Sequence, residues 1–355
     1  MSTVLVIGDA MVDCRVSGVI QRIASEAPAP VVLETSRHYS PGGAANTLCN
    51  LLAMGVPADF VSSIGNDPEG EWLHAELHHR STNKVWLRTG DSPTTVKTRV
   101  MVGQHHVIRL DREQRMRTAL TVEQLTETLQ CGKRWAVVVS DYNKGLLHEQ
   151  TRKLLVQWTQ QHGVPLFVDA KPAVLADWSG ASWLKINQSE ALEFTQTLPL
   201  HLATLAGEEE AVTYAAQQLR EKLAIPYVIV TRGERGALLA RGAGVEKFHC
   251  EPKHVFDVTG AGDVFLANFV AALWYGETVD KAVNTAQIAA GLSVQEPGSV
   301  VISRDQLEDA KLTHGGSEAK IMDLRSVVAF ADRCRKKGKS VVVTNGCFDT
   351  LHHGH

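Results

Sequence analysis

The sequence lacks long hydrophobic runs and has little excess of charge of either sign. No stretch of its 355 residues approaches the roughly 20 consecutive apolar residues that a membrane-crossing helix requires. The first apolar run, residues 4–7, is too short for the core of a signal peptide and follows no basic segment. A formal net charge of −3 does not indicate a nucleic-acid partner. We therefore expect a cytoplasmic protein with neither a membrane nor a nucleic acid as partner.

Cysteine is also scarce. The chain has six cysteines and no C-x-x-C pair among them, which argues against a zinc site or a disulfide framework and favours reduced thiols. With 44% hydrophobic and 21% charged residues, the composition is that of an ordinary globular protein, large enough for one large domain or two smaller ones.

For most of the chain, short apolar runs alternate with segments of helical period. Runs typical of buried strands lie at 4–7, 59–62, 136–139, 166–168, 183–186, 227–230 and 237–239. Helical patterns lie at 44–54, 68–78, 150–161, 208–223, 263–275 and 279–294. Strands that alternate with helices imply crossover connections. The predicted fold class is therefore α/β, with a central, mostly parallel sheet covered by helices on both faces.

Two regions interrupt this alternation. Residues 14–37 and 94–111 alternate polar and apolar side chains and are rich in β-branched residues, a pattern typical of a half-exposed antiparallel sheet. A small β flap beside a parallel sheet predicts either a lid over a site or a surface that pairs with a second subunit. We expect a homodimer in which each lid is completed by its neighbour.

The periodic pattern ends near Leu312. Residues 313–322 are polar and glycine-rich, which predicts a linker between a first domain, 1–312, and a further segment, 323–355. In that segment a helix is predicted at 323–337 and a strand at 340–344. A stretch of about forty residues does not close a core of its own, so we expect this segment to be incomplete and either poorly packed or paired with another molecule.

The stretch 255–270, VFDVTGAGDVFLANFV, places three residues of little bulk in front of a helix. Gly260, Ala261 and Gly262 leave backbone N–H groups uncovered where a helix start carries partial positive charge, which predicts an anion site. The carboxylate of Asp263 would repel an anion there unless it takes up a proton beside one. The pattern suits phosphoryl transfer, in which the amides bind the developing charge and Asp263 deprotonates the attacking hydroxyl.

A second motif, SPGGAANTLCNLLAMG at 40–55, combines two glycines that permit close approach of a ligand with an asparagine one turn into a helix. With GDAMVD at 8–13 and the DVTGAGD sequence, it resembles the ribokinase (PfkB) carbohydrate kinase family over residues 1–312. The resemblance implies a ribokinase-like fold, with Asp263 as the base and residues 260–262 as the anion hole. It assigns the sugar hydroxyls to Asp13, Gly42, Gly43 and Asn46.

The resemblance also implies ATP and Mg²⁺ as cofactors. The positions that it assigns to the nucleotide are Lys171, Asn187, Gln188, Ser189, Glu190, Thr231, Gly233, Gly236 and Asn284. Among these, Asn187 and Glu190 would orient Mg²⁺ through water; the alternative is a helix N-cap with its capping-box acid. Asp257 and Thr259 match the loop that in many relatives binds a monovalent cation such as K⁺. Walker-type and protein-kinase motifs are absent, as the resemblance implies.

The basic residues of the flap bear on which sugar is bound. Lys97, Arg99 and Arg109 either clamp a phosphate that the sugar already carries or are solvated charge at a strand edge. Further charged residues follow predicted strands, at the carboxyl ends where ligands collect in such sheets: Asp141, Lys144, Asp169 and Lys171. The two lysines of this second group could reach phosphates of either substrate, and we place Asp141 and Lys144 on the sugar side.

The last residues, VVVTNGCFDTLHHGH, run from a predicted strand into a turn and an H-x-G-H sequence. They resemble the opening of the nucleotidyltransferase superfamily, which implies that His352 and His355 lie at a helix N-terminus and stabilise an α-phosphate under attack. A sugar kinase followed by a linker and this opening resembles the bifunctional enzymes that join a heptose 7-phosphate kinase to a heptose 1-phosphate adenylyltransferase. Because the chain stops on its last histidine, we expect the adenylyltransferase activity to be absent from it.

The combined resemblance implies ATP-dependent phosphorylation of D-glycero-β-D-manno-heptose 7-phosphate at C1, giving the 1,7-bisphosphate, in the synthesis of ADP-heptose and lipopolysaccharide core precursors. Two alternatives stay open. One is a kinase for another sugar phosphate, such as fructose 1-phosphate or tagatose 6-phosphate, which a substrate panel would separate. The other is a non-catalytic sugar-binding protein on the same fold, against which the intact GAGD sequence argues.

Overall fold

The chain divides into two units, Met1–Arg304 and Asp305–His355. In the computed structural model the described residues are 2–81, 83–116, 119–195, 207–250, 254–314, 324–336, 338 and 340–343. Two β-sheets organise the first unit. The strands among the described residues, numbered along the chain, are β1 (Thr3–Gly8), β2 (Ala10–Ile23), β3 (Pro30–Gly43), β4 (Ala58–Gly65), β5 (Val85–Gly90), β6 (Val96–Val102), β7 (His105–Arg112), β8 (Arg134–Asp141), β9 (Leu166–Ala170), β10 (Trp183–Asn187), β11 (Tyr227–Thr231), β12 (Ala237–Arg241) and β13 (Gly244–Phe248).

The larger sheet has nine strands in the order β13–β12–β11–β10–β9–β8–β1–β4–β5. Neighbouring strands from β11 to β5 run parallel, whereas β12 and β13 are antiparallel to their neighbours. Parallel strands present their carboxyl ends at the same edge of a sheet, which is where ligands bind in open α/β folds. The segments that follow β1, β8, β9 and β10 therefore meet at one edge.

Helices alternate with these strands along the chain or follow the last of them. Those described are α1 (Ala44–Ala53), α2 (Pro68–Arg80), α3 (Val122–Gln130), α4 (Glu149–His162), α5 (Gln188–Phe194), α6 (Glu208–Lys222), α7 (Ala261–Trp274), α8 (Val279–Ser293), α9 (Arg304–His314) and α10 (Leu324–Lys336), with 3₁₀ turns at Pro172–Trp178 and Gly233–Arg235. None of them is long and apolar enough to cross a membrane. The predicted α/β class, with a mostly parallel sheet between helices, is confirmed.

The sequence explains why the large sheet is buried on both faces. The central strands β1 and β8 contain the runs VLVI and AVVV, whose side chains are all fully buried, and parallel strands covered on both sides need such continuous apolar runs. Large aromatic side chains fill the layer against the helices; Trp178, Phe60, Phe167 and Phe269 are the largest that are fully buried. This packing fixes the strand ends that carry the site.

The smaller sheet has the order β3–β2–β6–β7. Two antiparallel hairpins, β2–β3 and β6–β7, are joined by parallel pairing of residues 12–18 with residues 96–102. The predicted flap is thus a mixed sheet rather than a wholly antiparallel one. Its strands also reach further than predicted, because β2 begins at Ala10 and β3 continues to Gly43, directly before α1. The flap is therefore continuous with the buried part of the first unit.

The second unit is described in part. The predicted helix at 323–337 is present as Leu324–Lys336, whereas residues 340–343 form no strand, and no neighbouring strand is described there that could pair with them. Of the predicted linker, Thr313 and His314 belong to α9, and the rest lies outside the described residues. His352 and His355 also lie outside the described residues.

Candidate active site

The glycine turn before α7 has the conformation that a bare anion site needs. Gly260 caps the helix with a left-handed φ of +71°, and a Cβ at this position would come within 2.6 Å of the Asn46 side-chain nitrogen. The Ala261 amide donates to the Val258 carbonyl at 3.2 Å, but no acceptor among the described residues takes the amides of Gly262 and Asp263. These two N–H groups at a helix start can bind a phosphoryl oxygen.

An ammonium group stands directly against this turn. A Cβ added to Gly262 would lie 2.5 Å from Lys185 Nζ, so only glycine leaves room for the lysine there. Lys185 Nζ donates to Asp169 Oδ2 at 2.8 Å, and the two residues are register partners on β10 and β9. Burial acts to lower the pKa of Lys185, but the charge of Asp169 and the hydrogen bond outweigh it and raise the pKa. A permanent positive charge therefore lies beside the uncovered amides.

Asp263 lies in the first turn of α7 and is only 3% exposed. Its Oδ1 accepts a hydrogen bond from the Tyr142 hydroxyl at 2.8 Å, and its Oδ2 accepts one from Asn46 Nδ2 at 3.4 Å. Burial, together with the nearby charge of Asp169, raises the pKa of Asp263 to about 7, although Lys185 and the two hydrogen bonds act to lower it. A carboxyl group with a pKa near neutrality is suited to act as a general base.

The predicted sugar-binding residues converge next to Asp263. Asp13 Oδ1 accepts from Arg99 at 2.8 Å, and Oδ2 accepts from the Ser299 hydroxyl. Any side chain at Gly42 would collide with the Asp13 carboxylate, and Gly43 has a φ of +59°, so both positions require glycine. These residues and Asn46 thus lie around one space, and their role in sugar binding stays a prediction. A cavity lined by Asp13, Ser40, Arg99, Phe256 and Asp257, among others, opens beside them.

The flap lysine and arginines do not all reach this space. Lys97 is partly buried, its burial lowers its pKa, and its Nζ lies 5.8 Å from the centre of the Tyr142 ring. Arg99 reaches Asp13, as described above. Arg109, by contrast, lies on β7, all of whose residues are exposed, and its Nε donates to Asp111 at 2.9 Å. Its geometry fits the alternative of solvated strand-edge charge.

Two further residues assigned to the sugar side have partners of their own. Asp141 is 2% exposed; its carboxylate accepts from Arg152 Nε at 2.7 Å and from the Trp178 indole at 3.2 Å. That carboxylate is committed to a buried ion pair, which supports the loop after β8 rather than offering a free ligand. Lys144 Nζ donates to Glu113 at 2.6 Å.

On the nucleotide side, Asn187 and Glu190 form the capping box of α5. Asn187 Oδ1 accepts from the Glu190 amide at 2.9 Å, and the Asn187 amide donates to the Glu190 carboxylate at 3.3 Å. The Glu190 carboxylate also pairs with Lys171. The N-cap is therefore present, and the same oxygens stand at the ends of β9 and β10 together with Asp169. Carboxylate and amide oxygens are the donors that a hydrated Mg²⁺ prefers, so this donor set fits the ion.

The other positions assigned to the nucleotide, apart from Asn284 on α8, lie near the ends of β10 and β11. The Thr231 hydroxyl donates to the Ile186 carbonyl at 3.4 Å, and the turn after it has positive φ at Gly233 and Gly236. Gln188 joins Glu208 and Arg235 in a surface network, while Ser189 and Asn284 are exposed.

In the loop assigned to a monovalent cation, the Asp257 carboxylate accepts hydrogen bonds from neighbouring protein groups. Asp257 Oδ1 accepts from the amide and hydroxyl of Thr259 at 2.9 and 2.6 Å, and Oδ2 accepts from the Gly298 amide at 2.9 Å. Burial alone would raise the pKa of Asp257, but these hydrogen bonds outweigh it and lower the pKa. The carboxylate therefore fixes the loop that precedes the glycine turn.

Several residues of the site were not singled out from the sequence. Tyr142 and Lys185 belong to the stretches SDYNKG and KINQSE, and their position at the end of a strand was the available signal. Asp9, 5% exposed, accepts from the Lys144 amide at 3.1 Å and holds the loop after β8. Ser299 binds Asp13 from a loop remote in sequence, for which no local pattern exists.

Comparisons with known proteins identify the family of the chain. A model of the pfkB family carbohydrate kinases matches residues 1–305. The bifunctional protein HldE of Methylobacillus flagellatus is 33% identical over 99% of this chain and 72% of its own length. The protein of the same name from Pseudomonas aeruginosa strain UCBPP-PA14 is 36% identical, with the same coverage.

Solved structures share the fold. Ribokinase from Thermotoga maritima superposes with a TM-score of 0.67 at 20% identity, over 87% of this chain and 99% of its own. Phosphofructokinase-2 from Escherichia coli, in a complex with potassium, gives a TM-score of 0.72 at 18% identity, over 88% and 99%. The fold is thus ribokinase-like. With a family model over most of its length and relatives above 30% identity, the chain belongs to the pfkB family of carbohydrate kinases.

Proposed function

We propose that this kinase transfers the γ-phosphoryl group of ATP to the C1 hydroxyl of D-glycero-β-D-manno-heptose 7-phosphate. The observation that carries the proposal is the position of the Asp263 carboxylate, between the sugar-side residues and a turn with two uncovered amides and an adjacent ammonium group. A base, an anion hole and a positive charge in one buried space are the requirements of phosphoryl transfer to an alcohol.

In the proposed reaction, Asp263 accepts the proton of the C1 hydroxyl as its oxygen bonds to the γ-phosphorus. The bond from that phosphorus to the bridging oxygen of ADP breaks, and ADP leaves with the electron pair. The amides of Gly262 and Asp263 and the ammonium of Lys185 face the charge that develops on the transferred group. Because these donors are already fixed by α7 and β10, they need no rearrangement during the reaction.

We assign ATP and Mg²⁺ to the carboxyl ends of β9, β10 and β11. Asn187 and Glu190, with Asp169 beside them, would hold hydrated Mg²⁺, which neutralises charge on the nucleotide phosphates. For K⁺ we retain the loop of Asp257 and Thr259 as the proposed site. Dependence of turnover on K⁺ against Na⁺ at equal ionic strength tests that assignment.

The heptose phosphate assignment is supported by the partly buried cations of the flap and by the HldE relatives. Arg99 and Lys97 approach the sugar side from β6, where a phosphate distal to C1 would meet them. Arg99 is committed in part to Asp13, so a second anion would share its guanidinium with that carboxylate. This arrangement favours a phosphorylated sugar over a neutral one.

A substrate panel tests the proposal. The chain is incubated with Mg²⁺ and ATP and, separately, with heptose 7-phosphate, fructose 1-phosphate, tagatose 6-phosphate and an unphosphorylated hexose, and the products are identified by mass and phosphorus NMR. We expect a 1,7-bisphosphate from the heptose at the highest kcat/KM. A higher kcat/KM with another sugar phosphate would replace the heptose assignment, and tight sugar binding without any ATP consumption would favour a non-catalytic protein.

We further propose a homodimer through the smaller sheet. Its strands expose large apolar side chains, which are unfavourable in water: Val19, Ile20, Ile23, Leu33, Val107, Ile108 and Leu110. Sedimentation velocity across a range of concentrations tests this, and a monomer at all of them would contradict it.

A further inference from the structure

Tyr142 makes the shorter of the two hydrogen bonds to the Asp263 carboxylate. Its hydroxyl donates to Oδ1 at 2.8 Å, whereas Asn46 reaches Oδ2 at 3.4 Å. Burial and the neighbouring carboxylates of Asp263 and Asp169 raise the pKa of Tyr142 well above its ordinary value. The phenol therefore stays protonated and acts as a donor throughout the working range of pH.

The loop that carries Tyr142 is fixed by two buried carboxylates. Asp9 accepts from the Lys144 amide at 3.1 Å. Asp141 accepts from the Asn143 amide at 3.0 Å while it is held in its ion pair with the α4 arginine. A loop bound from both sides leaves the tyrosine little freedom to move away from Asp263.

The Tyr142 ring lies between the two halves of the site. Lys97 Nζ from the flap lies 5.8 Å from its centre, and Lys171 Nζ from the nucleotide side lies 5.2 Å from it. A Cβ at Gly43, in the sugar motif, would be 3.4 Å from its Cε2. The ring thus touches both substrate sides, and its cation–π partners favour one orientation of it.

We propose that Tyr142 is a positioning residue for phosphoryl transfer, whose hydroxyl fixes the Asp263 carboxylate through Oδ1 and leaves Oδ2 to receive the proton of the sugar hydroxyl. The inference rests on the proposed role of Asp263 as the base. The remaining groups that face this carboxylate are Asn46 on α1, Asp169 on β9 and Lys185 on β10, and none of them contacts Oδ1. Without the tyrosine hydroxyl, the carboxylate would rotate about its Cβ–Cγ bond.

The experiment is the substitution Tyr142→Phe, which keeps the ring and removes the hydroxyl. We expect kcat to fall roughly 10- to 100-fold, the effect of losing a hydrogen bond to a charged group, with little change in KM for either substrate. The lost donor favoured the ionised carboxylate, so the pKa of Asp263 rises and the acid limb of the pH–kcat profile moves to higher pH. Tyr275→Phe is the matched control, because it removes a 2.8 Å hydrogen bond to the Met54 carbonyl outside the site.

A second variant carries 3-fluorotyrosine at position 142, which preserves the fold and makes the phenol a stronger donor. Its acid limb is expected to move in the opposite direction, to lower pH. An acid limb that stays at the wild-type pH in both variants would overturn the inference while leaving the proposed function intact.

A measurement without turnover separates the two proposals fully. The infrared carboxylate band assigned to Asp263, by its loss in Asp263→Asn, is titrated in the wild-type protein and in Tyr142→Phe. A higher titration midpoint in the variant supports the inference even if no sugar phosphate is turned over. The absence of turnover would contradict the proposed function only. Equal midpoints would refute the role of the tyrosine.

Discussion

The two sheets of the first unit differ in their burial and in the candidate site residues that they carry. The nine-stranded sheet is buried on both faces, and the segments at its strand ends carry Tyr142, Asp169 and Lys185. The four-stranded sheet is half-exposed: every residue of β7 is open to solvent. It contributes Asp13 and the basic residues to which we assign the sugar phosphate. In the proposed function, the buried sheet therefore supplies the reaction chemistry and the exposed sheet supplies substrate recognition.

Strand β2 shows how one segment serves both sheets. Its first residues, from Ala10 to Cys14, are buried beside the large sheet, whereas its last five residues, 19–23, are exposed. Asp13, which we assign to the sugar, lies in the buried half and is therefore held by the part of the flap that packs against the core. The comparison predicts that changes at the large sheet alter kcat and that changes at the flap alter KM.

The largest effect tests the large sheet. Lys185→Met is expected to lower kcat by about 10²–10³-fold, because it removes a charge preorganised beside the uncovered amides. It also leaves Asp169 without its buried partner, which destabilises the fold. Rapid-quench measurement of the phosphoryl-transfer rate at saturating substrates gives the effect on chemistry.

The double variant Lys185→Met/Asp169→Asn separates charge from stability. With the carboxylate neutralised, the pair no longer contains an uncompensated charge, so we expect unfolding at a denaturant concentration above that of the single variant. Turnover should stay low. Recovery of the wild-type rate in the double variant would mean that Lys185 has a structural role only.

The intermediate effect tests the flap. Arg99→Ala should raise KM for the sugar phosphate roughly 10- to 100-fold, since a charge-assisted contact is lost, and should leave KM for ATP unchanged. Arg37→Ala is the control on the same sheet, where the arginine is about half-exposed and pairs with Glu34 on the surface. Equal KM values for Arg99→Ala and the control would contradict the division of labour.

Alanine variants of two leucines, for which we expect the smallest effect on turnover, compare the contribution of the two sheets to stability. Leu5→Ala in β1 removes a fully buried side chain and should lower the free energy of unfolding by about 2–5 kcal/mol. Leu110→Ala in β7 removes a side chain that is 55% exposed and should change it by less than about 0.5 kcal/mol. Urea denaturation at low protein concentration checks both, and similar losses for the two would refute the contrast between the sheets.

The strands of the large sheet were predictable because local sequence patterns specify them. Short apolar runs such as those of β1 and β8, between segments of helical period, favour buried strands, and the glycines before α7 leave the start of that helix uncovered. The flap was predicted as antiparallel, but its parallel contact between β2 and β6 joins segments far apart in sequence. Alternating side chains do not distinguish parallel from antiparallel neighbours.

Within the site, too, local sequence patterns do not show contacts between segments that are far apart in sequence. Asp263 and Asn46 belong to local motifs and could be named in advance. The hydrogen bond from Tyr142 and the ammonium of Lys185 depend on which strand ends meet, which follows only from the sheet order. The partners of Asp141 could not be named in advance for the corresponding reason, since Arg152 and Trp178 are brought to it by tertiary packing.

The most direct test of the account is the turnover of Asp263→Asn with Mg²⁺, ATP and the preferred sugar phosphate. We predict a kcat lower by a factor of about 10²–10⁴, the usual contribution of a general base, and sugar binding retained in calorimetry. The wild-type kcat should fall as the pH drops below about 7, the pKa of this carboxyl, and the variant should lack that limb. Near-wild-type turnover in the variant would contradict the assignment of Asp263 as the base.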